Sequence, residues 1–407
     1  MDKGLPNKTE AEPHTRPYRW VMLALMWLLY SSFGLISRSV SPLVTPIITD
    51  LGISYSEMGL VLGSWQLTYI GASIIAGTVI DKLGVRRALF VGTIIMGLSA
   101  ALRYFPSGLT GFLLAVSLLG VGGPFVSIGA PKTVALWFTG QSRGTAVGIY
   151  TTAPSVGGLF VLAATNSIVM PLTGYSWRWT FVAYGLVTFA IALVWWFFAK
   201  DVKKETSQEN TSISRAFVSL LRVRNIRVLL LGGLLAFAIV HGFSNWLPKI
   251  LESGGLSSRE AGFAASLPLL VSVLSVLVIP RQTAPYARGR MVAVLATLTV
   301  TGLMLSVTTS LVLRFIGLVI FGVSAFCIFP LLMLILMDTP EVGARYMGFA
   351  GGIFFSIAEI GGVTGPLLMG ALFDVTGSFL AGVALLATLS LIIFLIALSL
   401  KTPTAGH

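Results

Sequence analysis

Charge is scarce in this chain. Asp, Glu, Lys and Arg supply 10% of its 407 residues, where a soluble domain carries about 25%, so an ordinary soluble fold is excluded. The single cysteine, Cys327, excludes an internal disulfide and a cysteine-based metal centre. Three histidines, two of them near the ends (His14 and His407), leave little material for any metal site. No glycine-rich nucleotide loop of the Walker type occurs, so ATP is not expected to drive the protein. No nucleophile–base constellation occurs either, so neither an enzyme nor a cofactor is expected. Residues 1–18 are polar and lack the apolar core and cleavage site of a signal peptide. The net charge of +12 would suggest a nucleic-acid partner in a soluble protein; its placement here argues for the bilayer instead.

What is abundant is apolar sequence, 55% of the chain. About 20 apolar residues cross a bilayer core as a helix. Such runs number twelve, near 19–49, 56–80, 86–106, 109–137, 143–171, 177–199, 226–251, 258–281, 288–309, 311–337, 343–372 and 377–400. The fold class is thus an all-α membrane protein. Of the 27 lysines and arginines, twenty fall on the side of the termini and three, Arg178, Lys249 and Arg259, on the other. The positive-inside rule then places both termini in the cytoplasm. The short loops fit the cytoplasmic membrane of a prokaryote and a monomer. Domain limits follow: a tail over 1–18, a six-helix bundle over 19–199, a linker over 200–225, a second bundle over 226–400 and a tail over 401–407. In the linker, KKETSQENTS (203–212) is polar, and the part after it suits a short amphipathic helix on headgroups.

The chain repeats itself at half its length. LGISYSEMG (51–59) recurs as GGLSSREAG (254–262), with Ser54, Glu57 and Gly59 each 203 residues from Ser257, Glu260 and Gly262. GIYTTAPSVGG (148–158) recurs as GIFFSIAEIGG (352–362), offset by 204. Two pseudo-symmetric six-helix bundles are the pattern of a carrier that rocks one half against the other around a central site.

GTVIDKLGVRR (77–87) resembles the signature between the second and third helices of the major facilitator superfamily, with Lys82 for the usual first Arg and Val85 for a basic residue. The resemblance implies a conformational latch built from Gly77, Asp81, Gly84, Arg86 and Arg87, with Asp81 pairing with Arg86 or with a neighbouring helix terminus. APSVGG (153–158) resembles the superfamily's Gly-Pro-x-x-Gly-Gly element, with Ala153 for the first Gly; Pro154 lets a helix bend, and Gly157 and Gly158 allow close approach. That element is associated with exchange. The basic residue of the superfamily's fourth-helix motif is missing from LLGVGGPFVSIG (118–129), against a drug/proton antiporter. SRSVSPLVTPI (37–47) with NWLPKIL and GLSSREAG resembles the cyanate-permease-type branch. GGPFVSIGAPKTVALWF (122–138) is similar to choline and haem-linked carriers related to the feline leukaemia virus receptor, and more faintly to nitrate/nitrite porters.

A charge in the membrane needs a reason. Arg103 and Arg314 lie near helix ends and are expected to snorkel; Lys132, deeper, either snorkels or faces the cavity. Arg38 sits nearly mid-membrane among Ser37, Ser39 and Ser41, and the repeat offset carries it to His241. A basic residue from each half suits a small anion, since guanidinium presents a planar fork to carboxylate-like oxygens. The alternative is that Arg38 is only the structural partner of Glu359. His241 is a substrate ligand, a proton carrier or a satisfied core histidine; Asn245 follows one turn later. Glu359 is the other proton-coupling candidate. Trp65, Gln66 and Tyr69 form a further candidate cavity stripe. The expected function is secondary transport of a small organic or inorganic anion by alternating access, proton-coupled or exchanging. The alternative is a carrier for a quaternary amine or other organic cation, with Glu359 and aromatic rings as its site. A membrane sensor without flux is a third reading.

Overall fold

The computed structural model describes residues 18–138, 140–201, 223–339 and 341–400. The described part is helical and contains twelve helices long and apolar enough to cross a membrane. They are α1 (Tyr18–Leu51), α2 (Tyr55–Leu83), α3 (Val85–Leu102), α4 (Leu109–Trp137), α5 (Ser142–Leu172), α6 (Trp177–Phe198), α7 (Arg224–Ser253), α8 (Ser258–Gln282), α9 (Pro285–Ser306), α10 (Leu311–Met337), α11 (Gly343–Thr376) and α12 (Phe379–Ser399). Short connections make neighbours antiparallel. One end of the bundle, here the terminal face, therefore carries Tyr18 and Leu400, and the distal face lies opposite. The expected amphipathic helix of the linker lies outside the described residues.

The repeat is reproduced in the packing. Ser54 and Ser257 each cap a helix start, accepting from the N–H of Glu57 and Glu260, whose carboxylates reach back to the cap residue. These capping boxes satisfy helix-end donors that would otherwise be orphaned. Within the first half, a Cβ on Gly157 would collide with the Ser31 carbonyl; within the second, a Cβ on Gly361 would collide with that of Leu234. Both members of the two pairs are related by the repeat offset, so α1·α5 and α7·α11 are one joint used twice. Pro154 sits at the start of the Ala153–Ala164 stretch, where α5 breaks after Thr151, and its carbonyl packs against Gly34.

The halves meet through α2·α11 and α5·α8. Gly63 lies against Val363, and Gly262 against the Leu162 carbonyl. At the distal face the contacts become polar and aromatic. Thr45 Oγ1 donates to Glu252 Oε2 at 2.6 Å, and Lys249 Nζ donates to Thr45 Oγ1 at 3.0 Å. Asp374, at the end of α11, accepts from the backbone N–H groups of Tyr55 (3.0 Å) and Ser56 (2.7 Å) and from the Ser56 hydroxyl. It thus caps the start of α2 from the other half. Tyr55 stacks on Phe373 at 3.9 Å between ring centres and also meets Trp246 and Phe379 at 5.7 and 6.0 Å. This ring cluster and its acid cap form the distal seal. Every inter-half hydrogen bond named here or below lies at the distal face or mid-bundle. These contacts close the junction at the distal face.

In the signature segment the partner of Asp81 comes from near the end of α4. Asp81 pairs with Lys132, not Arg86. Arg86 instead donates to the Trp196 carbonyl and lies over the Trp196 ring, 5.0 Å from its centre, while its N–H donates to Asp201 at 2.9 Å. Gly84 turns the chain with φ of 80°, a left-handed value suited to glycine. Arg87 is exposed, and nothing lies within 4 Å of a Cβ built on Gly77.

Candidate functional site

The site begins with a break in α1. Its first α-helical stretch ends at Arg38, and a 3₁₀ turn over Ser41–Leu43 carries Pro42, which has no N–H to continue the ladder. The break lets the chain redirect beside Arg38, and the Ile36 carbonyl there accepts from the Ser39 N–H at 3.3 Å. Ser39 Oγ donates to it at 2.8 Å. Arg103, fully buried, reaches from α3: its Nη1 donates to Ser39 Oγ at 2.8 Å and to the Ile36 carbonyl at 3.4 Å, and its Nη2 to Ser99 Oγ at 3.2 Å. The Phe181 ring centre is 5.1 Å from its guanidinium carbon. Arg103 therefore does not snorkel; it braces the break. Arg314 does not snorkel either. It is buried and donates to the Thr308 and Gly254 carbonyls, fastening the distal end of α7.

Arg38 projects into the cleft, half-buried. Its Nη1 donates to Asn245 Oδ1 on α7 at 3.0 Å, a bond between the halves. The side chain runs over Gly158, where a Cβ would stand 3.2 Å from Arg38 Cγ. Arg38 is not bonded to Glu359, so the structural pairing weighed above is not the one observed. Nor does it touch His241 by a hydrogen bond: His241 Nδ1 lies 3.1 Å from Gln66 Nε2, a second bond between the halves.

Gln66 and Glu359 lie side by side. A Cβ on Gly362 would stand 2.6 Å from Gln66 Nε2 and 3.2 Å from Glu359 Oε2, so the glycine makes room for the amide against α11. Both Gln66 and Glu359 are buried, and Gln66 Oε1 and Glu359 Oε2 have no hydrogen-bond partner. A buried acceptor without a donor is costly in an apolar interior, and a proton on the Glu359 carboxyl would lower that cost. Trp65 packs between Phe33 (5.6 Å), Tyr69 (5.9 Å) and His241 (6.3 Å). The Tyr69 hydroxyl is engaged with Ser127 Oγ at 2.6 Å.

The structure thus brings together Arg38, His241, Asn245, Gln66, Glu359, Trp65 and Tyr69. It does not bring Lys132, whose ammonium is held by Asp81 at the terminal end of α2. Sequence reasoning passed over Phe237, 5.2 Å from the His241 ring. The signal was there: Phe237, His241 and Asn245 recur every fourth residue and share one helix face.

Comparison with known proteins agrees with this architecture. A Bacillus subtilis protein named hexuronate transporter is 24% identical over 91% of this chain and 93% of its own. A probable sulfoacetate transporter of Cupriavidus necator is 26% identical over 89% of each. Those relatives, rather than the cyanate-permease-type branch, are what the chain resembles at this level. The crystal structure of a bacterial homologue of the human lysosomal transporter Spinster, described as inward-facing and unoccupied, superposes with a TM-score of 0.74 at 16% identity, over 94% of this chain and 98% of that one. Residues 26–358 match the family model described as Major Facilitator Superfamily. With two six-helix halves, a site at their junction and a matching family model over most of its length, the chain belongs to the major facilitator superfamily.

Proposed function

We propose that the protein is a secondary carrier that moves a small organic anion across the membrane by alternating access, with Arg38 as the ligand of the anionic group. The observation that carries this reading is the Arg38–Asn245 bond. One N–H of the guanidinium is spent on a neutral amide that links the halves, and among the described residues the remaining N–H groups have no protein acceptor. A carboxylate or sulfonate is a stronger acceptor than an amide, so it displaces Asn245 and removes a tie between the halves as it binds. Substrate binding and release of the distal seal are then linked in free energy. The relatives named for hexuronate and sulfoacetate support the anionic class.

The buried Gln66–Glu359 pair is the proposed site of a coupled proton, with His241 as its neighbour through Gln66. The distribution of basic residues supports a cytoplasmic membrane with the terminal face inside, so the distal seal closes the outer side in the state described here. The carrier acts as a monomer in this reading.

The test is ligand-induced thermal stabilisation of the purified protein by organic anions, in wild type and Arg38→Gln. A ligand at a hundredfold excess over its Kd stabilises by about 2.7 kcal/mol. Losing a charge-assisted pair of this kind costs about 2–5 kcal/mol of binding, enough to erase that signal. Stabilisation by an anion that persists undiminished in Arg38→Gln removes Arg38 from the site. Stabilisation by amines alone, lost in Glu359→Gln, replaces the anion carrier with a carrier of organic cations.

A further inference from the structure

Among the described residues the cleft holds one accessible cation, Arg38, and many rings. Lys132 is neutralised by Asp81, Arg103 is sealed behind α1 and Arg314 is fixed at the distal end. The other ionisable groups beside Arg38 are Glu359, which is an acid, and His241, which already meets Gln66. Among the described residues a second anionic group on the substrate finds no ammonium or guanidinium there.

The rings form an unbroken run across both halves. Phe33 on α1 meets Trp65 on α2 at 5.6 Å, Trp65 meets His241 on α7 at 6.3 Å, and His241 meets Phe237 at 5.2 Å. Phe237 meets Phe329 on α10 at 4.4 Å, and Phe329 meets Phe355 on α11 at 5.4 Å. Phe33, Phe237 and Phe329 are only half-buried and Phe355 is exposed, although all stand near mid-helix. Some of the polar groups interleaved with them are already engaged, while Ser31 Oγ, Gln66 Oε1 and Glu359 Oε2 are not. Tyr69 Oη bonds Ser127, Ser37 Oγ bonds the Gly34 carbonyl, and Gln66 Nε2 meets His241. A polyhydroxylated acid needs a partner for each hydroxyl it brings out of water, and the ring wall from Phe33 to Phe355 itself offers none, the open polar atoms lying beside it. A flat apolar body needs only ring contact.

We infer that the substrate is a monocarboxylate with an aromatic or similarly flat apolar body, its carboxylate on Arg38 and its ring against the Trp65–Phe237–Phe329 wall. The inference rests on the reading of Arg38 as the anion ligand. It makes this carrier's selectivity differ from that of a sugar-acid carrier on the same fold.

The experiment uses the full-length protein in detergent and four probes: phenylacetate, glucuronate, tartrate and benzyltrimethylammonium. Half-maximal thermal stabilisation is compared in wild type, Arg38→Gln and Phe237→Leu. The expected result is stabilisation by phenylacetate at concentrations at least about tenfold below those needed for glucuronate, with none from tartrate. Arg38→Gln abolishes the phenylacetate effect, and Phe237→Leu weakens it while the protein keeps its fold. Glucuronate or tartrate binding as tightly as phenylacetate, and lost in Arg38→Gln, overturns the inference and leaves the anion reading standing. Benzyltrimethylammonium binding that survives Arg38→Gln, with no anion effect, overturns both. Stabilisation by none of the four, or phenylacetate binding untouched in Phe237→Leu, also overturns the inference.

Discussion

A methyl group placed on Gly63 should drive the halves apart at the distal face. Gly63 on α2 lies against α11, and a Cβ there would stand 2.8 Å from Val363 Cα and 2.9 Å from the Val363 carbonyl oxygen. Ordinary contact begins near 3.4 Å, so the helices must part by roughly half an ångström. Overpacking of this kind costs about 1–3 kcal/mol, and here the cost falls on the state in which the halves are closed distally. Since about 1.4 kcal/mol is a factor of ten, Gly63→Ala shifts the equilibrium toward distal opening by roughly 5- to 150-fold. Gly302→Ala is the control: its Cβ would stand 2.7 Å from the Phe321 N within the second half, crowding α9·α10 without touching the junction. Spin labels on Thr49→Cys and Ser253→Cys, both at exposed distal positions, report the opening by pulsed electron resonance. The native Cys327 is buried and stays out of the labelling. Gly63→Ala should lengthen the distal distance, whereas Gly302→Ala should lower thermal stability and leave it unchanged. If Gly63→Ala loses stability but keeps the wild-type distances, α2·α11 packing does not set the resting state.

Asp374→Asn keeps the shape of the α2 cap and removes its charge; at this exposed helix start the charge is worth about 0.3–1 kcal/mol, so the same labels should show a few-fold gain of the open form. Unchanged distances would reduce Asp374 to a local cap. Arg103→Leu removes the buried guanidinium bonds to Ser39 Oγ, Ser99 Oγ and the Ile36 carbonyl, costing about 1–3 kcal/mol in melting experiments and weakening anion binding by displacing Arg38; a fall in stability with full anion affinity would separate the brace from the site. Ser54→Ala and Ser257→Ala should each lower stability by about 1 kcal/mol, equally if the two capping boxes are equivalent, which thermal unfolding of the single variants measures.

The elements that the sequence made legible are those ruled by local pattern. Twelve apolar runs became twelve helices because no other structure satisfies a backbone in lipid. The Ser54–Glu57 and Ser257–Glu260 pairs were readable as helix starts because capping is settled within four residues. Even the 203-residue offset survives as matched glycine contacts, Gly157 on Ser31 and Gly361 on Leu234. What was hidden depends on how helices rotate and tilt against one another. Lys132 and Asp81 are 51 residues apart, and nothing local announces that α4 delivers one to the other. Arg103 reads as a helix-end residue until α1 breaks beside it and presents Ser39 and the Ile36 carbonyl to its guanidinium. Arg38 could be placed in the cleft from its depth and neighbours, but not its partner, because Asn245 and Glu359 are both polar groups on helices of the other half.

The distal seal has a thermal consequence. Tyr55, Trp246, Phe373 and Phe379 close it largely with ring surface, so opening the carrier wets apolar area. Wetting such area raises heat capacity, and the attraction that keeps it dry fades on cooling. The balance between the two orientations therefore drifts with temperature even at fixed substrate: cold loosens the distal face, and a plot of transport rate against inverse temperature bends instead of running straight.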